Sequence, residues 1–384
     1  KGLQAINQAF SLICRIRYFI SKDSICKIIS LNHIRKRAFM IRQRKHWIDL
    51  LRGICMIAIL LDHTEIYYTG INIIDYNVYV VNALTIFFML SGYLMYKETG
   101  FDFRNKMKSI TLTLLLPYFI FSTLILFPKN LIHGNEINFM NILEQIILGQ
   151  ASWFIASLCI AEVIFATSIW ITRGKDMALF IVSMLGFTIS IYLSQGNQPY
   201  PWQIDNSLQA LLFIWIGYTY HKYEKATQVI NRISYTSLLS ILLICIKIYE
   251  KANDVNMLVC PISINNYPVF LLDILICSLM MVQISKRLPP CKWLEWTGSH
   301  SLVYYFLCGG VPLITSKVLD KIGLSYDGNY LYVMVALLIV YVMTTFFTWI
   351  IYRYFPFTIG KKYGKNTYPA PKRSKGIPLN DTKA

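Results

Sequence analysis

The chain has 384 residues, 55% hydrophobic and only 15% charged, with a mean hydropathy of +0.46. That balance excludes an ordinary soluble domain, in which about 25% of residues are charged. A formal net charge of +17 raises nucleic acid as a partner, but the basic residues fall between apolar runs, so membrane lipids are expected as partners and nucleic acid is not.

In chain order, residues 1–46 form a basic, mixed segment with runs at Arg35 to Arg37 and Arg42 to Lys45. It lacks an apolar core followed by a small-residue cleavage site, so no secretory signal is read. Residue 1 is not Met and Met40 would make a natural start, so residues 1–39 are expected to lie outside the functional domain.

Ten apolar runs follow, at 47–68, 77–96, 109–127, 151–172, 177–194, 206–221, 233–249, 269–285, 299–318 and 330–352. Each approaches the ~20 residues with which a helix crosses a ~30 Å hydrocarbon layer. The expected fold is an all-α polytopic membrane bundle of about ten transmembrane helices. Residues 47–355 form its transmembrane domain, and 356–384 a basic, disordered tail rich in Lys, Gly and Pro.

Segments that share the side of the N-terminus carry 31 of the 37 Lys and Arg. By the positive-inside rule that side is cytoplasmic, and an even number of spans places both termini there. The protein is expected to be a multi-pass protein of a cell membrane. Among the longer outer loops, 141–148 has helical apolar spacing, and 195–205 concentrates aromatic and polar groups. Tyr200 and Trp202 there suit either an interfacial anchor or a platform for a sugar ring.

The nine cysteines form neither a CxxC pair nor a zinc-type spacing. They read as buried small apolar residues, with no disulfide and no metal site expected.

An ionisable side chain in a span costs about 2.5–3.5 kcal/mol on insertion scales, so each one is a functional candidate. The candidates are Asp49, Arg52, Asp62, His63 and Glu65 in the first span, Glu162 in the fourth, Asp273 in the eighth and His300 at the start of the ninth. Arg52 and His63 are 11 residues apart, which returns them to within roughly 20° of one helix face at an axial separation of about 16 Å. A groove along that face would offer a fixed cation to the cytosol and a titratable imidazole towards the exterior. The cation suits a phosphate-bearing donor, and the imidazole suits proton abstraction from a hydroxyl. An i,i+3 ion pair with Asp49 is the competing role for Arg52, and backbone hydrogen bonding within the bundle that for His63. Asp62 points about 100° away from its neighbour, so Glu162 is the alternative carboxylate for orienting His63.

These residues stand in a set of motifs: WIDLLRG (Trp47–Gly53) leading to His63; FFMLSGYL (Phe87–Leu94); LPY (Leu116–Tyr118); WF (Trp153–Phe154); PWQID (Pro201–Asp205) followed by Gly217–Tyr218; GSHSL (Gly298–Leu302); and YFP (Tyr354–Pro356) with Gly360. Over about residues 46 to 362 the chain resembles the integral-membrane acyltransferases of the acyltransferase-3 type, which include polysaccharide O-acetyltransferases and the fucose 4-O-acetylase-like group. The resemblance implies a cytosolic acyl-CoA donor, acetyl-CoA in the simplest case, and a carbohydrate acceptor. It makes His63 the catalytic base and Arg52 a catalytic or donor-binding cation. Lys106 and Lys108 stand as further donor-binding candidates, and Glu162, Trp153, Trp202 and Asp205 as acceptor-binding ones. Two departures stand out. Ser109 to Leu116 lacks the arginines that many members carry before the Leu-x-Pro-Tyr element, and Cys308 occupies a position where many have histidine.

The expected activity is transfer of an acyl group to a hydroxyl of a cell-surface carbohydrate or its lipid-linked precursor. The alternatives are a transporter or flippase using the same intramembrane charges, and a glycan-binding scaffold without chemistry. Homo-oligomerisation is left open.

Overall fold

A computed structural model describes residues 46–132, 139–196, 200–227 and 232–361, with side chains to 126 in the first stretch. The expectations for residues 1–45 and for the tail beyond 361 lie outside the described residues.

The chain is helical almost throughout. Helices α1 (His46–Thr69) and α2 (Tyr76–Met95) are followed by α3 (Phe103–Ile110), which passes through a π-turn at Thr111–Leu115 into α4 (Leu116–Ile132). Next come α5 (Phe139–Ile147), α6 (Trp153–Thr172), α7 (Asp176–Leu193), α8 (Ile204–Lys222) and α9 (Ile233–Ala252). A β-hairpin, β1 (Met257–Val259) with β2 (Ile262–Ile264), leads to α10 (Tyr267–Arg287), α11 (Lys292–Ser299), α12 (Ser301–Leu307), α13 (Gly310–Lys321) and α14 (Tyr330–Tyr354).

Short polar residues set several helix starts. Asp75 accepts from the Asn77 amide, Asp102 from Asn105, Asn266 from Val269 and Asn329 from Leu331, each satisfying an amide that the first turn leaves open. At the end of α6, Arg173 and Gly174 turn left-handed, with φ of 54° and 71°, and the helix stops.

Seven helices are long and apolar enough to cross a membrane, counting α3 to Leu126 of α4 as one, and the bent pair α12 and α13 makes an eighth. The protein is therefore a multi-pass membrane protein. All ten expected spans correspond to helices. The two outside that set, α1 and α8, are polar for a reason: both lie inside the bundle. α1 buries Asp49, Asp62 and Glu65, and α8 buries Asn206, Ser207 and Gln209. The peripheral helices α9 and α14 turn most of their apolar surface outward, as a helix facing lipid does.

Two crossings bring the inner helices together at glycine. A Cβ on Gly92 would lie 1.9 Å from the Ile214 carbonyl oxygen, and one on Gly217 1.8 Å from that of Met89, so α2 and α8 meet backbone to backbone. Gly53 and Gly298 do the same for α1 and α11, with clashes of 2.2 Å against Leu294 O and 1.7 Å against Asp49 O. Lipid gives helices no hydrophobic drive to associate, so close packing of small residues carries the association.

Three of the candidate ionisable groups are taken up by the architecture. Asp273, fully buried, receives Lys247 at 2.9 Å and the Asn82 amide at 2.8 Å, tying α9, α10 and α2. Glu65 accepts the amides of Ile73 and Ile74 at 3.1 Å and the Tyr330 hydroxyl at 2.5 Å, closing the α1–α2 turn. His300 sits at the break between α11 and α12, its Nδ1 2.6 Å from Trp296 O and its ring stacked on Trp296 at 4.3 Å.

Candidate active site

α1 is unbroken from His46 to Thr69, so the 11-residue spacing of Arg52 and His63 acts as read. The face they share continues through Met56 and Ile59, and it opens into two cavities rather than one groove. Arg52 and Met56 line a cavity of about 250 Å³, while Ile59 and His63 line one of about 540 Å³.

Tyr305 of α12 lines both cavities and stands between them. Its hydroxyl accepts a hydrogen bond from the Phe154 amide at 3.3 Å, and the two rings lie 5.2 Å apart. The first turn of α6 is split by this wall: Ser152 and Trp153 face the His63 cavity, and Phe154 and Ile155 the Arg52 cavity. The continuous groove expected from α1 alone is partitioned because another helix supplies an aromatic side chain at its midpoint.

The Arg52 cavity gathers a polar set from six helices and the π-turn. Glu162 of α6 accepts from Lys106 Nζ at 2.8 Å and from the Ser91 hydroxyl. Glu162 thus lies in the Arg52 compartment, paired with Lys106 and Ser91, and is not the carboxylate beside His63. Ser109 and Thr113 line the same cavity, as do Ser299 and Ser301 from the GSHSL motif. Lys106, Ser109 and Thr113 recur at helical spacing across the start of the π-turn, a backbone feature that often accompanies functional sites. The segment that lacks the expected arginines therefore presents hydroxyls and one lysine to the cavity. Lys108 is exposed and is not among its lining residues.

The His63 cavity is lined by Asp62, Tyr67, Tyr76, Ser122, Gln150, Ser152, Trp153, Cys260 and Cys308 among others. Asp62, the neighbour set aside on angular grounds, reaches this cavity, where its Oδ1 accepts from the Asn72 amide at 3.0 Å. Tyr67, four residues on from His63, lies nearly parallel to the imidazole at 6.3 Å between centroids. Cys308 donates to the Tyr305 carbonyl at 2.9 Å, so the departure from histidine sits within the site. Cys260 enters from the turn between the two strands, and burial pushes its thiol up to about 12.

Two acceptor candidates lie elsewhere. Trp202 packs on the rings of Tyr118 and Phe119 at 5.3 and 6.1 Å, and its amide donates to Leu148 O at 2.6 Å. It pins an elbow, with φ of 55°, against Gly149, which leaves no room for a side chain. Asp205, half-buried in the first turn of α8, is likewise absent from the lining of either cavity. Of the cavity residues that sequence reading missed, Tyr67 was within reach through its i,i+4 spacing from His63. Gln150 and Cys260 come from loops that carry no periodic signal.

Among the described residues no cluster of three or more His, Cys, Asp or Glu side chains could hold a metal ion. The chemistry on offer is that of an imidazole, a phenol, a half-buried arginine and a carboxylate–lysine pair.

Comparison of the chain with known proteins returns one family model, described as an acyltransferase domain, matching residues 45–354. No curated protein and no solved structure matches. The matched stretch runs from the start of α1 to the last residue of α14, and so takes in both cavities and every helix that builds them: the chain belongs to the acyltransferase-3 family and is a membrane acyltransferase.

Proposed function

We propose that the protein transfers an acyl group, acetyl in the simplest case, from cytosolic acyl-CoA to a hydroxyl of a cell-surface carbohydrate or its lipid-linked precursor. The observation that carries this reading is the shared face of α1, which presents Arg52 to one cavity and His63 to the other across a single aromatic wall. The charge asymmetry of the sequence supports an orientation with the Arg52 end towards the cytosol. A cavity of about 250 Å³ takes the thioester arm rather than a whole CoA. The phosphates then lie at the basic rim of α3, which carries Arg104, Lys106 and Lys108. The carbohydrate occupies the larger cavity, where Tyr67, Tyr76 and Trp153 offer ring faces and Asp62 and Gln150 offer hydrogen bonds.

His63 removes the proton of the acceptor hydroxyl as its oxygen attacks the thioester carbonyl. The tetrahedral intermediate collapses with cleavage of the C–S bond, and the departing thiolate takes the proton back from the imidazolium. The products are the O-acyl ester and free CoA. Tyr305 accepts from Phe154 and so keeps its own proton to donate. Standing between thioester and hydroxyl, it is the donor for the oxyanion.

Two cavities with a thin partition would also serve a transport path, so the assay scores both outcomes. Membranes carrying the protein are given radiolabelled acetyl-CoA and their own glycans. Ester-linked label on glycan that requires His63 supports transfer, whereas movement of glycan across the membrane without covalent change supports transport.

A further inference from the structure

The cavity that holds His63 is not confined to the interior of the bundle. Leu124 of α4, Ile314 of α13 and Phe347 of α14 all line it. Yet these side chains are 62%, 49% and 38% exposed, and Phe119 of α4, Val318 of α13 and Phe346 of α14 are exposed beside them. An apolar side chain so exposed at mid-helix in a membrane protein faces hydrocarbon. Among the described residues the cavity therefore runs continuously from His63 to the lipid between α4 and the α13–α14 pair. Gly309 and Gly310 widen it at the break before α13, where an added Cβ would meet nothing within 4 Å.

His63 lies six residues before the end of α1, about 9 Å below it at 1.5 Å per residue. An acceptor must bring its hydroxyl to that depth. A water-soluble sugar taking the lateral route would pass apolar walls that return none of its hydrogen bonds with water. A sugar fixed to a lipid avoids this cost, because its tail stays in the bilayer and only the sugar crosses to the polar groups around His63.

We infer, on the basis of the acyl transfer proposed above, that the acceptor is a saccharide attached to a membrane lipid. It enters sideways, with its hydrocarbon chain lying against Leu124, Ile314 and Phe347. Acylation then precedes assembly of the finished glycan, and the class of reaction that consumes the product is transfer of the acylated saccharide from its lipid.

The test uses membranes from cells that make the full chain, pulsed with radiolabelled acetyl-CoA and divided into an organic-solvent extract and a polymer fraction. Wild type should place its first ester label in the extract. Ile314→Trp and Leu124→Trp, which fill the opening from the lipid side, should lower that label at least tenfold. Leu338→Trp, on the lipid face of α14 and away from the cavity, should not. Release of the labelled sugar by mild acid marks a phosphate-linked carrier, and resistance marks a glycosidic lipid; either supports the inference. Label that depends on His63 but appears only in polymer, undiminished by the two tryptophans, would overturn lateral entry while leaving acyl transfer standing. Label equal in wild type and His63→Ala would instead remove the transfer reading on which this inference rests.

Discussion

The Phe154 amide donates to the Tyr305 hydroxyl across 3.3 Å, and that contact closes the wall between the Arg52 and His63 cavities. In the proposed transfer, thioester and acceptor hydroxyl meet at this point along the α1 face. Tyr305→Phe keeps the ring and removes the phenolic proton. It should lower kcat by about 10²- to 10³-fold, the usual loss for one oxyanion donor, with little change in KM for acetyl-CoA. Steady-state kinetics in purified membranes check the split, and a rise in KM at constant kcat would assign Tyr305 to donor binding.

Lys106 and Glu162 form a largely buried pair in the Arg52 cavity, at 2.8 Å with side chains 21% and 11% exposed. Lys106→Met leaves the carboxylate with the Ser91 hydroxyl but no cation. Breaking a buried pair costs about 3–5 kcal/mol, and partial exposure at Lys106 brings the expected loss nearer 2. Thermal unfolding in detergent should register it, and KM for acetyl-CoA should rise several-fold. Lys106→Met combined with Glu162→Gln should recover most of the stability without recovering donor affinity.

Glycines in this chain differ sharply in what they tolerate. A Cβ at Gly298 would sit 1.7 Å from a backbone oxygen of α1, whereas one at Gly309 meets nothing within 4 Å. Gly298→Ala should therefore part α11 from α1 and cost more than 2 kcal/mol, an overpacking penalty with no flexible neighbour to absorb it. Gly309→Ala, at an ordinary φ of −88°, should stay within about 0.5 kcal/mol of wild type. Folded yield and unfolding temperature separate the two.

The contrast shows what the sequence made legible. Ten apolar runs, the buried polarity of α1 and the one-sided spacing of Arg52 and His63 could be read directly, because helical periodicity and the cost of charge in lipid act on local sequence. Glu162 could not be placed, since its choice of Lys106 over His63 depends on how α6 rotates against α3. The partition at Tyr305 was hidden for the same reason: it forms where three helices, distant in sequence, converge. By composition Trp202 suits an interfacial anchor or a sugar platform alike, and its place at a turn, with positive φ beside Gly149, carries no periodic signal in the sequence. The β-hairpin went unread in an outer loop, although its turn brings Cys260 to the cavity.

Cys260 gives a pH-dependent probe of that cavity. Burial raises its thiol to about 12, so at neutral pH it is almost wholly protonated and slow to alkylate. In a variant keeping Cys260 as its one cysteine, the maleimide rate should rise about tenfold per pH unit from 7 to 10 without levelling. A plateau near pH 8.5, the behaviour of an ordinary exposed thiol, would show that the hairpin turn does not bury it.

If His63 takes the proton of the acceptor hydroxyl, ester-linked acyl label on glycan reads its loss most directly. Membranes with wild type or His63→Ala, matched for protein level, are supplied with radiolabelled acetyl-CoA. Loss of a general base predicts a fall of about 10²-fold or more in the mutant, with acetyl-CoA binding retained. Equal label in the two would contradict it.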